Sequence, residues 1–105
     1  MNPEYLVVMT TFSKPETGEK IVNKLLGDKL AACVQSLKIN SSYTWKGTVC
    51  HDAETLLLIK TKALHYSEVE KAILSVHDYE TPEIIATPVL FGSNGYLRWI
   101  DDVTK

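Results

Sequence analysis

The chain has 105 residues, 45% hydrophobic and 23% charged, and a formal net charge of −2. That length fits one domain over 1–105 with a core burying roughly 60–70% of the unfolded surface, and interspersed charge of both signs gives no electrostatic ground for binding nucleic acid or an anionic membrane. No apolar run approaches the roughly 20 residues of a membrane span, and Tyr5 to Met9, preceded by Glu4, is too short for a signal peptide, so a cytoplasmic protein is expected.

In chain order, the first strand is expected over Tyr5 to Phe12. Ser13-Lys14-Pro15-Glu16 then reads as a capping box, with serine at the N-cap, proline in the first turn and glutamate closing the box. Ile21, Val22, Leu25, Leu26 and Leu30 follow a helical period, which predicts a helix to about Asp28. Ala31 to Thr61 is strand-rich, interrupted by polar residues around Asn40 to Ser42 and turned at Lys46-Gly47. Tyr66, Val69, Ile73 and Val76 mark a second helix with one apolar stripe. Pro82 breaks regular structure, and a strand is expected from Ile84 to Leu90. Gly92 to Gly95 reads as a turn before a short helix carrying Tyr96, Trp99, Ile100 and Val103. With right-handed crossovers this order gives an α+β fold, a ferredoxin-like βαββαβ sandwich with helices on one face of an antiparallel sheet and a short C-terminal helix added.

The middle strands stand out by their length. Each reaches about 14 residues, or roughly 45 Å, against about seven residues for the first and last. The hairpin must therefore overhang the sheet. Tyr43 and Trp45, two apart in a strand, share one face of the overhang. Two large exposed aromatics would be an unusual apolar patch on a monomer, which predicts burial against another copy of the chain. With the turn at Lys46-Gly47, Cys50 faces the region of Tyr43 and Cys33 that of Lys60, so the two thiols are expected apart and reduced. They also lack the spacing of a zinc site.

From His77 the sequence reads His-Asp-Tyr-Glu-Thr-Pro-Glu-Ile-Ile-Ala-Thr-Pro-Val. A histidine, three acids and a phenol fall within seven residues, and Glu83 sits where loop becomes strand, a usual place for ligand contacts. The imidazole of His77 and the carboxylates of Asp78, Glu80 and Glu83 suit a borderline divalent ion. The competing reading places His77 at a helix end, against the last carbonyls. His51-Asp52-Ala53-Glu54 is a second imidazole–carboxylate cluster, but neighbours on a strand point to opposite faces, so it reads as solvated surface. His65, near the second helix, reads as solvated too.

This ungapped stretch resembles the signature of the CutA family, the divalent-cation tolerance proteins, and Ser42-Tyr43-Thr44-Trp45-Lys46-Gly47 resembles the family's Tyr-x-Trp-x-Gly turn. The resemblance implies the same ferredoxin-like fold, assembly as a homotrimer through the hairpin bearing Tyr43 and Trp45, and a role in tolerance of or response to divalent metal, with copper the ion most associated with it. Copper-binding members are expected to use a cysteine near the end of the first strand and paired histidines before the tyrosine step. Here Thr10 and Val76 stand at those places and only His77 remains. The resemblance also implies a trimer similar to the PII signalling proteins, with clefts between chains for a small ligand. The residues expected there are Lys60, Tyr79, Glu80, Glu83 and Trp99.

Enzymatic templates are absent. No Gly-x-Ser-x-Gly, Gly-x-x-x-x-Gly-Lys or His-Glu-x-x-His occurs, and a Glu80–Glu83 acid–base pair is the sole candidate. RNA recognition on this fold would need aromatics in a basic third strand. Thr48 to Leu58 has no aromatic and carries Asp52 and Glu54. The expected protein is thus a trimeric, non-enzymatic divalent-cation tolerance protein that holds a metal ion, copper first, weakly through His77 and its neighbouring acids. The alternative is a PII-like small-molecule sensor or scaffold with no direct metal role.

Overall fold

Strand β1 (Tyr5–Phe12) alternates as a half-buried strand should, with Val8, Thr10 and Phe12 turned inward. Helix α1 (Pro15–Gly27) follows, then the hairpin strands β2 (Cys33–Trp45) and β3 (Thr48–Lys62), and a 3-10 turn at Ala63–His65 leads into α2 (Tyr66–Val76). Strand β4 (Ile84–Pro88) and α3 (Asn94–Val103) complete the chain, of which this computed structural model describes residues 2–105. The sheet order is β2-β3-β1-β4 with every neighbouring pair antiparallel. This is the expected α+β, ferredoxin-like arrangement.

One face of the sheet makes the core. Val8 and Phe12 of β1 and Leu57 and Ile59 of β3 pack with Ile21 and Leu25 of α1 and Val69 and Ile73 of α2. The two helices present their apolar stripes to the same surface, so the period-3.6 and period-2 patterns are satisfied together. The other face carries Val7, Met9, Leu56 and Leu58 in matching register, with Leu37 and Ile85 half exposed at 45% and 53%. Helix α3 lies at the end of the sheet where β1 begins, held there by Tyr5, whose hydroxyl donates to Asp101 at 2.9 Å.

The hairpin is as long as its sequence suggests. Strand β1 reaches along β3 only to Thr55, opposite Phe12, whereas β2 and β3 stay paired from Cys33–Lys60 to Trp45–Thr48. Beyond Thr55 the ribbon has only two strands, turned by Lys46 and Gly47 at φ 51° and 80°, as a tight primed turn requires. Cys33 pairs with Lys60 and Cys50 with Tyr43, and both thiols are free.

Several local expectations are corrected. Ser13 does not cap α1. Lys14 occupies the N-cap without a side-chain bond, because the Ser13 hydroxyl is drawn to Tyr79. The polar stretch at Asn40 to Ser42 does not interrupt β2, since Ser42 Oγ meets His51 Nδ1 at 2.9 Å across the ladder. Strand β4 stops at Pro88, not Leu90. Asn94 and Gly95 belong to α3, whose N-cap Ser93 accepts from Tyr96 N–H at 3.3 Å. His65 is buried rather than solvated, with Nε2 against the Lys105 carbonyl.

Gly18 lets α1 lie close against the Phe12 ring of β1. A Cβ there would fall 2.2 Å from Cζ of Phe12, a ring fixed in the core. Gly18→Ala should therefore destabilise the protein by about 1–3 kcal/mol despite alanine's better helix propensity. Urea unfolding midpoints of the two proteins check this.

Candidate functional site

The loop between α2 and β4 is fastened residue by residue to the end of β1 and the start of α1. His77 comes first. Its side chain is 1% exposed; Nε2–H donates to the Thr11 carbonyl at 2.8 Å, and Nδ1 accepts from Tyr79 N–H at 3.1 Å. Both ring nitrogens are thus committed, and the 3.8 Å approach of Nδ1 to Asp78 Oδ1 is not an ion pair. The His77 backbone N–H continues α2 by donating to Ile73 at 3.0 Å.

Asp78 accepts from the Thr17 hydroxyl at 2.7 Å and lies 3.9 Å from the Lys14 ammonium. The Thr17 bond, with help from Lys14, holds its carboxyl below the ordinary range. Tyr79 stacks at a tilt on His77, ring centroids 4.6 Å apart. Its hydroxyl donates to Glu54 at 2.6 Å and receives the Ser13 hydroxyl. Burial, then the Glu54 carboxylate, raises the Tyr79 phenol to about 12.

With residues 77 to 79 pinned, Glu80 to Glu83 face a cleft of about 710 Å³ whose other wall is the hairpin. Thr11, Ser41, Tyr43, Trp45 and Glu54 lie on the sheet face away from α1 and α2 and line it. Lys46 at the hairpin tip reaches Glu80 at 3.7 Å, so the overhang leans over its own loop. Tyr43 and Trp45 nonetheless remain 42% and 39% exposed. The Tyr43 hydroxyl donates to Asp52, which raises that phenol to about 12.

The residues singled out in the sequence therefore separate. Among the described residues, no group of three or more His, Cys, Asp and Glu side chains is disposed to hold a metal ion. His77 and Asp78, expected as ligands beside Glu80 and Glu83, are instead joints between elements. Glu80 and Glu83 are cleft-lining and accessible. Tyr79, Glu80 and Glu83, expected in a cleft between chains, line this cleft within one chain, whereas Lys60 and Trp99, expected beside them, lie elsewhere on the subunit. Lys60 stands opposite Val7, four residues or roughly 13 Å along β1 from Thr11, and its ammonium donates to Gln35 at 2.5 Å. Trp99 pairs with Tyr96 on α3, ring centroids 5.5 Å apart. Glu54 was overlooked as a cleft residue. Strand parity with Tyr43 and Trp45 was the signal that places it.

Fold and site together define a ferredoxin-like domain with an open acidic and aromatic cleft and no assembled metal centre among the described residues. A family model for the CutA1 divalent ion tolerance protein matches residues 6–103, and the chain belongs to that family. The family is one of divalent ion tolerance proteins. "Protein CutA, chloroplastic" of Arabidopsis thaliana is 39% identical over 101 residues, 95% of this chain and 56% of that one, so the chain spans a little over half of that relative. "Divalent-cation tolerance protein CutA" of Thermus thermophilus is 35% identical over 99 residues, covering 93% and 96% of the two chains. The crystal structure of CutA1 from Shewanella sp. SIB1 superposes with a TM-score of 0.93 at 36% identity, over 99% of this chain and 98% of that one.

The lowered Asp78 value fixes a pH dependence. Stability from this joint is present above the unfolded-chain value of about 3.9 and is lost as pH falls through the lower folded value. Asp78→Asn should lower the urea midpoint at pH 7 and flatten its decline below about pH 4. An acid limb as steep as the parent's would show that Asp78 is not the responsible group.

Proposed function

We propose that this protein acts in divalent-cation tolerance as a cytoplasmic homotrimer, and that any metal contact is weak and open, made by Glu80 and Glu83 at the cleft and not by His77. The observation that carries this reading is the commitment of both His77 nitrogens. Binding a metal through either would break a buried hydrogen bond. Carboxylates alone are hard donors, which discriminate little in favour of copper. The first ion to look for is therefore whichever divalent cation the open carboxylates meet.

Assembly is supported by the two-stranded overhang and by the sheet face it continues. A free two-stranded ribbon is marginal in water. Tyr43, Trp45, Leu37 and Ile85 leave apolar surface on one face of one sheet, which packing against copies of the chain would cover. No helix among the described residues is long and apolar enough to cross a membrane, which is consistent with the proposed compartment. A second reading, a trimeric small-molecule sensor of the PII kind, is favoured by the cleft itself, whose volume of about 710 Å³ suits a small ligand.

Light scattering of the metal-free protein should give the mass of three chains, and Trp45→Ala should lower that mass at low micromolar concentration while leaving the circular dichroism of the subunit intact. A fully trimeric Trp45→Ala would show that the hairpin does not hold the assembly. Calorimetric titration with Cu(II), Zn(II) and Mn(II) should show weak binding that falls in Glu80→Gln/Glu83→Gln. His77→Ala should cost about 2–3 kcal/mol of stability through its two buried bonds, with metal affinity unchanged where the protein stays folded. Tight, stoichiometric copper binding lost in His77→Ala would overturn the proposal.

A further inference from the structure

We draw no further inference here: the strongest candidate, the apolar groove of about 600 Å³ that Leu6, Ala86, Pro88, Leu90 and Leu97 line between the end of β4 and α3, next to the exposed Phe91, carries nothing because nothing in the structure shows what covers it.

Discussion

The hydrogen bond from His77 to the Thr11 carbonyl is the joint on which the working end of this protein depends. It links the end of α2 to the end of β1, two points 66 residues apart in the chain, and it is buried, so nothing from solvent competes for it. Tyr79 closes on the other ring nitrogen through its backbone, and its hydroxyl ties Glu54 of β3 and Ser13 into the same cluster. Asp78 adds the start of α1 through Thr17. Four elements are thereby fixed to three consecutive residues. The next four residues are left with a defined position and with Glu80 and Glu83 exposed, Glu80 meeting only Lys46 at the hairpin tip.

The second constraint is the difference in strand length. The ribbon beyond Thr55 has no third strand to support it, and a two-stranded ribbon twists strongly. Here it leans towards the pinned loop, where Lys46 meets Glu80. The cleft is a consequence of both facts: a fixed loop on one side and an unsupported hairpin on the other. Because Tyr43, Trp45 and Glu54 share one strand face, the exposed aromatic surface of the overhang also lines the cleft.

Much of this was legible in the sequence. The bounds of β1, the turn at Lys46-Gly47, the pairing of Cys33 with Lys60 and Cys50 with Tyr43, and the overhang itself all follow from local period and turn chemistry. Two of the misplaced features share a cause. Ser13 leaves its capping role, and His65 is buried, because each meets a partner far away in the chain. His77 and Asp78 have the composition of metal ligands, and composition does not record that a carbonyl and a hydroxyl from the first 17 residues already occupy them.

The sequence by itself determined the elements, their order, the shared face of Tyr43 and Trp45 and the length mismatch, because those depend on residues close together in the chain and on periods of 2 and 3.6. Tertiary structure alone decided which polar groups are spent and which are free. His77, Asp78 and Tyr79 are consumed by contacts with β1, α1 and β3, whereas Glu83 lines the cleft and Glu80 makes only an exposed contact with Lys46. The physical reason is that a hydrogen bond depends on where two groups meet in space, and neighbouring residues of one loop can meet entirely different partners.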